Sequence, residues 1–89
     1  MAWQIEFTAE AEGDFSRLDR SIQRRIFAYL NGRIATAVDA RDYGKPLLHE
    51  LSGLWRYRVG DYRILCRLED ERVTVVVVQI GHRSTVYDR

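Results

Sequence analysis

The chain has 89 residues, 46% hydrophobic and 30% charged, with a formal net charge of +1. That allows one domain spanning residues 1–89 and excludes a disordered chain. One cysteine, Cys66, excludes an internal disulfide framework and a cysteine-based zinc cluster, and two histidines are too few for a metal site without carboxylate help, so no metal or other cofactor is expected. No basic stretch followed by an apolar run opens the chain, and the longest apolar run, Val75 to Val78, is far short of the ~20 residues of a membrane span. A soluble, cytoplasmic protein with no membrane partner is expected.

In chain order, AWQIEF alternates, with Trp3, Ile5 and Phe7 on one side, as a short strand does. Thr8 follows as a helix N-cap, and Glu10, Glu12 and Asp14 sit near the positive end of that helix's dipole. Ile22, Ile26, Tyr29, Leu30 and Ile34, with Phe15 and Leu18 before them, recur at the three-to-four spacing of a buried helical stripe. The pattern predicts two helices packed as a hairpin and broken near residues 19–21. Residues 38–53 hold turn-forming types and read as a loop. Three strands follow at 54–59 (LWRYRV), 61–69 (DYRILCRLE) and 72–80 (RVTVVVVQI), with turns at Gly60-Asp61 and Asp70-Glu71. The last is apolar on both faces, as a strand inside a sheet is, and Gly81 ends it as a candidate bulge. The order describes an α+β fold: an N-terminal strand, a helical hairpin, then a three-stranded antiparallel meander, in a mostly antiparallel sheet with helices on one face.

Charge is unevenly spread. Residues 5–19 carry five acids against Arg17, residues 54–67 carry four arginines against Asp61, and 13 of the 14 basic residues are arginine. A two-residue turn at Gly60-Asp61 sets Val59 opposite Tyr62 and Arg58 opposite Arg63. Because side chains alternate between faces, Trp55, Tyr57, Val59, Tyr62, Ile64, Cys66 and Leu68 then share one apolar side, and Arg56, Arg58, Arg63 and Arg67 share the other. Like charges directly opposite on a sheet cost about 0.2–1 kcal/mol per pair. A merely solvated face would offer compensating acids, and only Glu69, at the far end, is available. The pattern therefore favours an anion-binding surface suited to arginine's bidentate phosphate contacts. Cys66 falls among the core positions, His49 has no evident chemical role, His82 is either a strand-end surface residue or a chemical group, and Tyr87 is either a reacting group or an anchor for the tail.

The runs KPLLHELSGLWRYRVGDYRILCRLED (45–70) and VVVVQIGHRSTVY (75–87) resemble the RelE/ParE superfamily of toxins from type II toxin–antitoxin systems. The resemblance implies a metal-independent, ribosome-dependent endoribonuclease that cleaves mRNA and so inhibits translation, with the ribosome, its 16S rRNA and mRNA as partners and a RelB-like cognate antitoxin as inhibitor. The family's basic strand residues map onto Arg56 and Arg58, the arginine after the turn onto Arg63, the arginine after the last strand's glycine onto Arg83, and the trailing tyrosine onto Tyr87. Arg63, Arg83, Tyr87 and His82 are the catalytic candidates, and Arg56, Arg58 and Arg67 the RNA-phosphate candidates. Arginines keep their charge and are poor proton shuttles, which leaves Tyr87 or His82 for proton transfer. Two of the family's lysines are arginines here, at 56 and 58, so a lysine acid–base role has no counterpart at those positions. The alternative within the superfamily is a ParE-like, non-enzymatic poison of DNA gyrase.

Overall fold

A computed structural model describes residues 2–85. The alternating N-terminal segment forms β1 (Gln4–Phe7), with Trp3 buried and Ile5 and Phe7 packed on the core. Thr8 caps α1 (Ala9–Ser16): its hydroxyl oxygen accepts from the Ala11 N–H at 3.1 Å, a bond whose loss typically costs about 1 kcal/mol. The chain breaks, then continues as α2 (Arg20–Tyr29) and a π-helical turn (Leu30–Ile34). Ile26, Leu30 and Ile34 of the expected stripe are fully buried, and Phe15, Leu18, Ile22 and Tyr29 pack against them. Each large aliphatic side chain buried this way contributes roughly 1.5–3 kcal/mol, so the stripe rather than intrinsic propensity holds the helices in place. No helix is long and apolar enough to cross a membrane among the described residues.

The chain then adds β2 (Lys45–Pro46), β3 (Leu54–Val59), β4 (Tyr62–Glu69) and β5 (Thr74–His82), completing a five-stranded sheet in the order β1-β5-β4-β3-β2. β1 and β5 are parallel and the other pairs antiparallel. The β3–β4 register is the expected one, with Val59 opposite Tyr62, Arg58 opposite Arg63 and Trp55 opposite Cys66. Gly60 takes φ +59° at the first turn position, where a side chain would be strained. Tyr57, Ile64, Cys66, Val75 and Val77 lie fully buried between the sheet and the helices.

Three expectations are corrected. Residues 38–53 are not a plain loop: a 3₁₀ turn (Ala40–Tyr43), β2 and a second 3₁₀ turn (His49–Leu51) lie within them. Two bonds impose this order, from the Tyr57 hydroxyl to the Ala40 carbonyl at 2.7 Å and from the Leu47 N–H to the Leu54 carbonyl at 2.9 Å. The last strand starts and ends two residues later than expected. Asp70–Arg72 close a helical turn that ends at Val73 with φ +48°, and Tyr62 and Arg63 of β4 take His82 and Gly81 as partners. The bulge is therefore not at Gly81. The register passes from Leu65–Gln79 to Cys66–Val77, which leaves Val78 as the extra residue.

Candidate nucleic-acid interface

The β3–β4 register sets Arg56, Arg58, Arg63 and Arg67 on the face away from the helices, as their parity requires. That face is not uniformly bare. Leu54 and Leu65 register on it too, and Leu47, Leu51 and Val78 pack with them into a second, smaller apolar cluster. The sequence signal was present in LLHEL (47–51), whose leucines suit burial better than an open loop does. The cluster lies between the two ends of the face, and the ends differ.

At the far end, Arg67 Nε lies 3.3 Å from Glu69 Oε2, Glu69 also holds Arg72, and Arg72 reaches Glu6 at 2.5 Å. Arg67 is therefore neutralised, as part of a chain of alternating charge. Desolvation, the largest single influence, pushes the Glu69 carboxyl up, but the hydrogen bonds and charges of Arg72 and Arg67 together outweigh it and hold the carboxyl below its usual range.

At the near end, around the Gly60 turn, Arg58 is exposed and directly opposite Arg63. Arg63 is only 8% exposed, and its Nη1 donates to the Gly60 and Tyr62 carbonyls at 3.4 and 3.3 Å. These contacts fix the orientation of a planar, permanently charged fork of N–H donors, the geometry that suits a phosphate. The Arg83 N–H donates to the Asp61 carbonyl at 2.7 Å, and its Nε lies 3.9 Å from Asp61 Oδ1, so the tail arginine stands beside the same turn. Lys45 was absent from the sequence-based set. β2 places it, exposed, opposite Arg56 on the arginine face. The clue was Pro46, a residue that sheets tolerate on edge strands such as this one.

His82 is set apart. It registers opposite Tyr62, on the parity of Tyr57 and Ile64 rather than of the arginines, and its ring meets the Tyr62 ring edge-on at 5.5 Å. Its Nδ1 accepts from the Ser84 N–H at 3.2 Å, so in the neutral ring Nε2 carries the proton. Tyr87 lies outside the described residues. Cys66 is fully buried, and burial pushes its thiol far above the usual range, which leaves a core side chain and no nucleophile. His49 sits exposed at φ +60° in its 3₁₀ turn.

Comparison with known proteins agrees with this architecture. Residues 5–87 match the family described as ParE toxin of type II toxin-antitoxin system, parDE. The chain is 34% identical to Toxin RelG of Mycobacterium tuberculosis over 89 residues, the full length of both. It is 31% identical to Toxin RelE of the same organism over 85 residues, 96% of this chain and 86% of that one. Among solved structures, the toxin–antitoxin complex RelBE2 from Mycobacterium tuberculosis contains a chain that superposes with a TM-score of 0.86 at 32% identity, over 94% of each chain. With its two helices on one face of a mixed five-stranded sheet, this chain belongs to the RelE/ParE superfamily of type II toxin–antitoxin toxins.

Proposed function

We propose that this toxin is an endoribonuclease that cleaves mRNA on the ribosome, and that the near end of its arginine face is the site of cleavage. The observation that carries this reading is the Gly60 turn, which gathers Arg58, Arg63 and Arg83 at one end of the sheet while the carboxylates of the far end are paired elsewhere. The names of the relatives RelG and RelE point the same way.

In the reaction, the 2′-oxygen of the RNA attacks the adjacent phosphorus and the bond to the 5′-oxygen breaks, giving a 2′,3′-cyclic phosphate and a 5′-hydroxyl. Charge on the phosphorane is met by Arg63, held by its carbonyl contacts, and by Arg58 and Arg83. Arg56 and Lys45, facing each other across β2 and β3, hold the flanking backbone. We assign proton transfer to Tyr87, in keeping with the family resemblance, because His82 stands on the other parity. As tyrosinate it accepts the 2′-hydroxyl proton, and water supplies the proton taken up by the departing 5′-oxygen. A RelB-like antitoxin inhibits the toxin by covering the cationic end, and the cytoplasm is where ribosome and toxin meet.

The test is primer extension on cellular mRNA after induction, with a supercoiling assay of purified gyrase beside it. Wild type yields discrete cuts within translated messages, Arg58→Ala and Tyr87→Phe remove them while the fold is kept, and gyrase is untouched. Intact mRNA together with lost supercoiling would establish the gyrase reading instead.

A further inference from the structure

The cationic groups of this chain that lack a nearby acid do not all lie on the sheet. Among the described residues, Arg17, Arg41, Arg67, Arg72 and Arg83 each have a carboxylate within 4.0 Å, and Arg25 and Arg33 have none. Both line an open pocket of about 430 Å³ on the helix side of the sheet edge, completed by Ala28, Tyr29, Gly32 and Val59. Arg33 also stacks over the Tyr43 ring, its guanidinium carbon 5.2 Å from the ring centre. Arg25 reaches the Gly60 turn from α2. A Cβ on Gly60 would lie 2.8 Å from an Arg25 terminal nitrogen, so glycine there permits the approach. Gly60 is thus touched by Arg25 from the helices and by Arg63 from the sheet, with Arg58 and Arg83 beside it.

Two guanidinium groups around one pocket with no carboxylate raise the electrostatic energy of the free protein. With a net charge of only +1, overall charge does not attract a polyanion, so any such attraction is local. Edge geometry supplies a path. β2 pairs only with Trp55 and Arg56, so the outer edge of β3 at Arg58 and Val59 has no strand partner among the described residues. A backbone lying on Arg58 can cross that edge and enter the pocket without leaving cationic surface.

We propose that Arg25 and Arg33 form a second phosphate-binding site, which holds the backbone of single-stranded RNA as it passes over the Gly60 turn from the sheet face; RNA as the polyanion rests on the function proposed above. The site positions the strand and reads no sequence. A carboxylate-bearing peptide is the competing occupant. Continuity with Arg58, Arg63 and Arg83 through a single turn favours a chain with a phosphate at every residue.

The experiment measures binding of a single-stranded RNA oligonucleotide from ~50 mM to ~1 M salt. Removing the arginine that neutralises one phosphate lowers the slope of log affinity against log salt by about 0.7, so Arg25→Ala/Arg33→Ala lowers it by about 1.4. If the curves converge near ~1 M, that is a roughly 60-fold weaker complex at ~50 mM. Gly32 lines the same pocket and a Cβ there meets nothing within 4 Å, so Gly32→Glu adds a carboxylate to the pocket wall beside the arginines, and it weakens binding at least as far. Arg17→Ala/Arg72→Ala removes the same charge from carboxylate-paired arginines and keeps the wild-type slope.

An unchanged slope in Arg25→Ala/Arg33→Ala overturns the site while leaving the sheet face in place. So does an equal loss in the charge-matched control. Retained RNA binding with lost affinity for a polyglutamate peptide assigns the pocket to an acidic peptide and overturns the proposal. No RNA binding by wild type overturns this site, and the ribonuclease function then stands or falls separately on the primer-extension result.

Discussion

Tyr57→Phe removes one oxygen from the fully buried residue that joins β3 to the 40–44 segment. The Tyr57 hydroxyl donates to the Ala40 carbonyl at 2.7 Å, its ring meets Tyr29 edge-on at 6.4 Å, and Ala40 is itself fully buried. The variant keeps the ring contacts and leaves the Ala40 carbonyl without this partner, where water does not easily reach. A buried acceptor left unsatisfied costs about 1–3 kcal/mol. Taking ~1.5 kcal/mol, and about 4–8 °C per kcal/mol for a domain of this size, Tm falls by roughly 6–12 °C. Amide exchange at 40–46 quickens, because the bond tethers that segment and with it Lys45.

Alkaline pH gives the same substitution a second signature. Burial pushes the Tyr57 phenol well above its ordinary range. The unfolded chain loses this proton near pH ~10 while the folded chain keeps it, so the residue's contribution is complete below that pH and declines as pH rises through it. Phenylalanine has no such proton. The stability gap between wild type and Tyr57→Phe is flat from about pH 6 to 9 and narrows above about pH 10. A Tm within about 2 °C of wild type, or a gap indifferent to alkaline pH, refutes the tether.

Three further outcomes follow from named contacts. Arg41 Nη2 lies 2.5 Å from Asp70 Oδ2, and this bond holds the Asp70 carboxyl below its usual range, whereas the Asp39 carboxyl is lowered mainly by the Arg41 backbone N–H. In Arg41→Met, NMR titration finds Asp70 back near ~3.9 and Asp39 still depressed. Because both carboxyls are depressed in the folded state, their stabilisation is present above pH ~4 and is lost as pH falls, so wild type and variant converge in acid. Gly44→Ala sets a Cβ 2.8 Å from Tyr57 Cε1, on a ring with no room to move, and lowers thermal stability by about 1–3 kcal/mol in calorimetry. Arg58→Ala weakens mRNA cleavage by far more than Arg67→Ala, since Arg67 is already held by Glu69; equal losses in primer extension would dissolve the distinction between the two ends of the sheet.

Period and parity were enough to reveal β1, the Thr8 cap, the buried stripe of α2 and the β3–β4 register, because each depends on side chains close together in sequence. What escaped depends on contacts distant in sequence. Asp14 reads as a dipole-favouring acid, yet its Oδ2 accepts from the Ile80 N–H at 3.0 Å, 66 residues away, beyond the point where β1 stops covering β5. Segment 38–53 reads as loop because its order comes from Tyr57 and Leu54, outside the segment. The arginine face was legible as a face but not in its divisions. Parity places Leu54 and Leu65 among the arginines, and only the folding of Leu47 and Leu51 over them shows that the surface has two unlike ends.

That inequality bears on function more than the count of arginines does. The far end shows that this chain can neutralise guanidinium charge with its own acids, since Glu6 and Glu69 together hold Arg67 and Arg72. An arginine face kept only for solubility would use the same device at both ends, and like charges set opposite on a sheet cost about 0.2–1 kcal/mol per pair. Yet Arg58 faces Arg63 with no carboxylate within 4.0 Å of Arg58 among the described residues, and Asp61, the acid of that turn, lies 3.9 Å from Arg83. A domain of 89 residues has little stability to spare. Arg58, set across from a second arginine at one end of strands whose other end pairs Arg67 with Glu69, is the observation on which the proposal of a phosphate site at the Gly60 end stands.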